Sequence, residues 1–548
     1  MQAEFDYIIV GAGSSGCVLA NRLSADPANR VCLVEAGKED KSFLVHLPIG
    51  VAWLFHHKDL NWRFNSTPQK HAGGREIYIP RGKVLGGSSS INGMIYTRGH
   101  PTDYDDWAAA GNPGWSFREV LPYFRRSEHN VEFGDSPYHG KDGELNVQFL
   151  DMYNPLCDVM FEAAGQMQYK LIDDFCGPDH EGFAKRQVTM KNGRRHSTAE
   201  AFLKPVRNRP NLTVMTETLT RRVIVENGRA VGIEVERGGK VEVLCARKEV
   251  VLSAGVIGSP HILQLSGIGN ADKLAAKGIT IVHHLPGVGE GLREHISAAV
   301  QYSSPTTVPW GLSWRTVPWM AWQALRYIFQ RKGFFANNML HAGGFIKTDP
   351  SLPRPDIQLI LMPVHRDATG RMGRGHGFAL IAIVLRAESR GTVELASADP
   401  KVDPLIDPHF LEEEQDVETL VKGVKIAREM LQSKPFEPYR GEELKPGKDV
   451  RTDDEWRKFA RENFVTVFHP VGTCRMGPDA GAVVDAELKV HGIEGLRVVD
   501  ASIMPTLIGG NTNAPAIMIA EKAADMIRGR AALTPEDAPV YGDDQKAA

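Results

Sequence analysis

Gly11, Gly13 and Gly16 form a G-x-G-x-x-G run that follows apolar residues 7–10 and precedes the apolar-periodic residues 17–23. A second apolar run, residues 31–34, ends on Glu35, 24 positions after the first glycine. In that order Gly11 permits a tight turn, Gly13 lets backbone approach a pyrophosphate, and Gly16 lets a helix pack on its strand. Glu35 can accept from ribose hydroxyls, and the helix N-terminus supplies donors and partial positive charge. The spacing predicts a dinucleotide site and leaves open which dinucleotide. Only one such fingerprint occurs, which argues against a second nucleotide domain. Rival signatures fail: every Gly-Lys step lacks the following Ser or Thr of a P-loop, and no G-x-S-x-G elbow is present.

The elements that must position these residues read as an α/β chain. Residues 7–10, 17–23 and 31–34 give β-α-β, and residues 212–215, 222–226, 230–237 and 248–253 give further strands. Between about 300 and 460 the character changes to longer strands (356–362, 377–385, 391–395) and a helix over 416–431. Residues 496–500, a Gly/Asn-rich loop and a helix over 517–527 then return to strand-turn-helix. A chain that leaves a nucleotide unit and comes back to it predicts an interleaved pair of domains. The expected Rossmann-like unit is residues 1–155, 205–300 and 460–548; the expected inserted unit, on an antiparallel sheet, is residues 156–204 and 301–459.

With 548 residues the chain can bury a large core, and 42% hydrophobic with 24% charged residues is the globular norm, excluding a disordered or fibrous chain. A net charge of −3 offers no field for nucleic acid. The six cysteines lack C-x-x-C pairs and zinc spacing, so reduced, mostly buried thiols and no metal are expected. The first residues run straight into a strand with no secretory pattern, and the longest apolar run, residues 378–385, is strand-sized. A cytoplasmic location is the expectation.

Three further segments carry more information: residues 82–92 (GKVLGGSSSIN), 259–269 (SPHILQLSGIG) and 469–477 (HPVGTCRMG), with Asp500-Ala501-Ser502 and residues 510–515 (GNTNAP) closing the chain. Together with the N-terminal fingerprint they resemble the glucose-methanol-choline (GMC) family of FAD oxidoreductases over essentially the whole chain, and most closely its alcohol, polyethylene glycol and choline dehydrogenase branch. Val256 departs from the small residue usual there. The resemblance implies FAD as cofactor, His469 as catalytic base and Asn511 as the second polar residue facing substrate. It implies flavin contacts from Gly11, Gly13, Ser14, Ser15, Gly16, Glu35 and Ala36, and from Val84, Gly86, Gly87, Ser88, Asn92, Gly93, Met94 and Ile95. Val223 would meet the adenine through its backbone; Ala254, Asp500, Ala501, Asn511 and Thr512 would complete the set. In some choline-oxidising relatives a His before the Asn of this segment is bonded to the flavin. Here that position is Ile91, so FAD is expected to be non-covalent.

These residue types suit alcohol oxidation, which needs a base beside an electron sink. His469 would take the hydroxyl proton while Asn511 donates to the oxygen and the hydride moves to flavin N5, giving an aldehyde. Pro515 and the apolar periodicity after it start a helix just past Asn513, whose dipole would favour an anionic reduced flavin. Electrons would pass to a quinone-like acceptor. Two alternatives stand beside this: an oxidase of the same family using oxygen, and a lyase holding redox-silent FAD. Cys474 reads as structural, the pairs His56-His57 and His283-His284 as surface or loop residues, and Trp62 equally as flavin neighbour or core.

The segment 310–332 places Trp310, Trp314, Trp319 and Trp322 within 13 residues, with Arg315, Arg331 and Lys332 flanking a helix from Pro318 to Gly333. Its polar stripe is narrow. It reads either as a roof over a substrate cavity or as an interfacial helix on the inner face of a membrane, the latter suiting a quinone acceptor.

Overall fold

A computed structural model describes residues 3–366 and 372–539. Two sheets organise it. The first has strand order Leu212–Met215, Val31–Val34, Ala3–Val10, Lys240–Leu252, Arg229–Arg237, Thr218–Glu226, with Leu496–Val498 also on Lys240–Leu252. Ala3–Val10 is parallel to both its neighbours, and helix Ser14–Leu23 leaves its end through Gly11 and Gly13. Near-continuous apolar strands such as Val31–Val34 are what a sheet covered on both faces demands, and all four residues are buried. Strand Lys240–Leu252 is longer than the expected 248–253, because its first half pairs antiparallel with Arg229–Arg237 and its second half parallel with Ala3–Val10.

The second sheet is antiparallel: Glu443–Lys445, Ile296–Ser303, Gly375–Val384, Ile357–Met362, Ala342–Ile346, Gly182–Lys185, with Gly311–Leu312 and Val465–Thr466 at its margins. Strand Ile296–Ser303 belongs to it along its whole length, so sheet membership does not change at residue 300. The two-residue period of a strand sorts its side chains. Leu359, Leu361, Leu380 and Ala382 pack beneath helix Glu414–Gln432 through Leu420, Val424 and Ala427. Ile360, Met362, Ala379, Ile381 and Ile383 point the other way, into a cavity. The final helix, Asn513–Ile527, starts four residues before the apolar run that announces it. The Trp-rich helix spans Val317–Gln330 and stops at Arg331, whose φ of 58° is left-handed.

Candidate active site

Between the two sheets lies a cavity of about 1470 Å³, larger than the ~300–1,000 Å³ of a site for one drug-sized ligand. Its floor is the Gly-rich turn. Gly11 holds φ +98°, and a Cβ there would meet Ser253 O at 2.5 Å; a Cβ on Gly16 would stand 1.9 Å from Gly11 O. Both glycines are fixed by protein packing. Gly13 differs: a Cβ there would meet no protein atom closer than Ser253 O at 3.9 Å. The room kept by that missing side chain therefore belongs to something other than protein.

Two helices open onto the cavity without a side-chain cap: Ser14–Leu23 through Gly13 and Ser14, and Asn513–Ile527 through Thr512 and Asn513. Their first backbone N–H groups remain available to an anion. The buried Glu35 carboxylate accepts from Ala12 N at 2.9 Å and Gly37 N at 2.8 Å, and burial lifts its pKa to about 7. On the same cavity wall Thr220 Oγ1, Ser253 Oγ, His261 Nε2 and Arg81 Nε are buried without a hydrogen-bond partner. Buried polar atoms are rarely left so. A Gly cradle, uncapped helix N-termini, a carboxylate and unpartnered polar atoms are a donor set that fits a dinucleotide.

At the other end, His469 follows Phe468, a non-glycine residue at φ +70°. His469 N donates to Glu294 Oε1 at 2.6 Å. Its ring meets the His295 ring edge-on, Nδ1 to Nδ1 at 3.1 Å, and its Nε2 lies 3.0 Å from Asn511 Nδ2. The partners fix the protons. His295 Nε2 faces Ile508 O at 3.0 Å and must donate, so His295 Nδ1 accepts and His469 Nδ1 carries the hydrogen. Thr97 Oγ1 accepts from Asn511 N and donates to Asn511 Oδ1, both at 3.0 Å, which turns the Asn511 NH₂ toward His469. His469 Nε2, which carries no hydrogen, therefore accepts from Asn511 Nδ2, and this pair lies on the cavity wall.

Burial, then His295 and Arg81, hold the His469 pKa well below the usual histidine value; burial and then the Arg386 charge take His295 to about 4. Both rings are neutral at neutral pH. Beneath them Glu294, raised to about 7 by burial, also accepts from His295 N at 3.0 Å.

The cavity wall includes His469, Asn511, Gly11, Gly13, Ser14, Ser15, Glu35, Ala36, Gly87, Ser88, Asn92, Gly93, Met94, Ile95, Ala254, Asp500, Ala501 and Thr512. Four expected contacts lie off it. Gly16 is spent on packing against Gly11. Val84 is fully buried in a small cluster with Val45, Leu54 and Ile91. Gly86 makes a left-handed turn and donates to Ala12 O at 2.7 Å. Val223 N donates to Ser266 Oγ at 2.7 Å, and Thr218, Leu219 and Thr220 of its strand form the wall in its place. Trp62 does line the cavity, stacked on Phe64 with Lys83 Nζ 4.2 Å over its ring. His56 lines it too, stacked on Tyr78. Cys474 is fully buried with its thiol pushed well up by burial, and is inert. His57 Nδ1 accepts loop N–H groups from Asp59 and Leu60.

Glu294, His295, Thr97 and Arg81 were not visible as site residues in the sequence. Nothing in Arg293-Glu294-His295 marks it except its position at the mouth of an apolar strand.

The sequence profile of GMC oxidoreductases matches residues 5–297 and 387–520. An alcohol dehydrogenase [acceptor] of Pseudomonas putida is 44% identical over 98% of each chain. An oxygen-dependent choline dehydrogenase of Sinorhizobium fredii is 42% identical over 97% of each. Among solved structures, pyridoxine 4-oxidase from Mesorbium loti superposes with a TM-score of 0.87 and 30% identity, covering 96% of this chain and 100% of that one. With a Rossmann-like sheet carrying the glycine cradle and a second, antiparallel sheet closing the cavity above His469, the chain belongs to the GMC oxidoreductase family.

Proposed function

We propose that the protein oxidises a primary alcohol to the aldehyde, with non-covalently bound FAD as first electron acceptor, His469 as base and a quinone-like compound as final acceptor. The observation that carries this is the ordered chain Ile508 O, His295, His469, Asn511, Thr97, which leaves one basic nitrogen and one amide donor side by side on the cavity. FAD, when bound, supplies the acceptor for the hydride lost from the carbinol carbon. Gly11, Gly13, Ser14, Glu35, Ala254, Asp500 and the helix start at Thr512 would hold it; Ile91 offers no nucleophile for a covalent bond. The substrate hydroxyl would displace the Asn511 amide from His469 Nε2, which then takes the hydroxyl proton, while the released N–H of Asn511 turns to the substrate oxygen and stabilises it as charge develops. Glu294, under both histidine backbones, offsets the transient positive charge on His469 when its carboxyl is ionised.

The same reading divides the labour. Residues 1–155, 205–300 and 460–548 would form the flavin unit and 156–204 and 301–459 the substrate unit, with 1–2, 367–371 and 540–548 outside the described residues; strand Ile296–Ser303, wholly in the second sheet, overruns the boundary at 300 and starts just after His295.

Both relatives named above act, by name, on alcohols or choline. Among the described residues the second sheet gives the cavity no carboxylate, and Lys445 at its edge is cationic. Its other wall residues on the long strands carry no charge: Ala298, Ala299, Ile360, Met362, Ala379, Ile381 and Ile383 are apolar, and Ser297 and Gln301 are neutral polar groups. An uncharged, apolar alcohol suits that wall better than a quaternary ammonium, which calls for a carboxylate or an aromatic cage. Anaerobic bleaching of the flavin across choline, benzyl alcohol, medium-chain alkanols and glycol ethers tests this. Alkanols should give the highest rates; choline fastest of all would reverse the substrate assignment, and no bleaching by any alcohol would leave the lyase reading. Turnover under air with and without a quinone analogue, with peroxide measured, separates dehydrogenase from oxidase.

A further inference from the structure

Helix Val317–Gln330 turns its sides the wrong way for a surface helix. An exposed stripe normally carries polar residues. Here the outward stripe, Val317, Ala321, Trp322, Leu325, Ile328 and Phe329, holds no polar side chain, with Trp322, Ile328 and Phe329 exposed 61%, 62% and 80%. Inward face Gln323, buried, accepts from Phe334 N at 3.0 Å, and Tyr327 joins the apolar cluster that includes Met339, Met362 and Val364. The polar Gln323 is thus inside, and Trp322 and Phe329 are outside. Just before the helix, Trp314 is 80% exposed with Arg315 over its ring.

Charge completes the pattern. Arg315 lies before the helix and Arg331 and Lys332 after it, all exposed, and no acidic residue occurs between Glu294 and Asp349. Asp151, which approaches this face, is held by Arg326 at 3.3 Å and Lys332 at 3.7 Å. An apolar stripe with cations at both ends matches the interfacial plane of a bilayer bearing anionic headgroups. It does not match a second copy, since a two-fold contact sets the same patch against itself and brings cations onto cations.

We propose that this face docks the protein on an anionic membrane surface, the helix lying in the interfacial plane. No helix among the described residues is long and apolar enough to cross a membrane, so the contact is peripheral. The placement has a consequence that rests on the functional reading above. Leu312, five residues before the helix, and Trp53 both line the catalytic cavity and are more than half exposed, which sets them on its rim. Docking brings the rim at Leu312 toward the lipid, so apolar alcohols and a membrane quinone reach the cavity from the bilayer rather than through water.

The test is flotation of the FAD-loaded protein with vesicles of phosphatidylcholine alone or mixed with phosphatidylglycerol. Binding should appear with the anionic vesicles and fall roughly tenfold or more for Trp322→Gln/Phe329→Gln. It should fall roughly fivefold for each of Arg331→Gln and Lys332→Gln. Flavin absorbance and turnover with a soluble acceptor should stay within twofold, showing that the variants fold. Flotation is read without catalysis, so it stands apart from the substrate assignment. No flotation with anionic vesicles, or flotation unchanged in the double variant, overturns the proposal. Self-association lost in that variant without any vesicle binding gives the face to a second copy and overturns it equally.

Discussion

Gly13 and Gly16 sit three residues apart in one motif, yet the structure gives them opposite jobs, and substitution by alanine should separate them. At Gly13 the backbone is ordinary extended chain, φ −80° and ψ −160°, and the added Cβ finds no protein atom within 3.9 Å. Gly13→Ala should therefore leave the ligand-free fold intact or slightly firmer, by about 0.4–1 kcal/mol, through loss of unfolded-chain freedom. Its methyl group instead occupies the space kept for the pyrophosphate, which would be pushed off the helix N-terminus. Losing two hydrogen bonds to a charged group, at about 1.5–3 kcal/mol each, weakens FAD binding by ~10²–10⁴-fold. At Gly16 the Cβ would lie 1.9 Å from Gly11 O, backbone against backbone, so Gly16→Ala should cost the fold about 3 kcal/mol or more. Urea unfolding of the ligand-free proteins and FAD titration by fluorescence read the two effects separately. The reasoning is refuted if Gly13→Ala binds FAD as the parent does, or if it destabilises the ligand-free fold as much as Gly16→Ala.

Two other outcomes follow from the same geometry. His295→Leu removes the acceptor that pins His469 Nδ1–H, at about 1–3 kcal/mol, so flavin reduction should slow roughly 5–150-fold with bound FAD unchanged. His295→Gln, whose amide oxygen can accept, should recover most of the rate; a leucine variant within twofold of the parent shows that His295 does not position the base. Burial raises Glu35 to about 7, and ribose hydroxyls donate more strongly to its ionised form, so FAD should bind more tightly as pH rises from 6 to 8. Glu35→Gln should weaken binding about 10–150-fold and abolish that slope, which equal slopes in parent and variant would contradict.

How much of this was legible in the chain depended on sequence distance. The glycine cradle spans six residues, and strand, turn and helix there are dictated locally, so Gly11, Gly13 and Glu35 stand where the spacing puts them. His469 and Asn511 were legible through motifs quoted from the family. His295 was not: its ring is defined by His469, 174 residues on, and Ile508, 213 residues on, and no local pattern encodes that meeting. Val223 shows the converse limit, since a residue type on a strand says nothing of whether its N–H is already taken by Ser266. The Trp-rich helix was visible as a helix, but which side faces water depends on Gln323 finding Phe334, a tertiary fact.

Whether His469 is the base is decided by anaerobic stopped-flow reduction of the flavin in His469→Ala across pH. Because burial holds the His469 pKa well below its usual value, the parent should keep its rate down into the acid range and lose it only as His469 takes a proton. In His469→Ala the rate should fall by ~10²–10⁴ and the acid limb should vanish. Reduction within tenfold of the parent, with the acid limb still in place, would contradict His469 as the base.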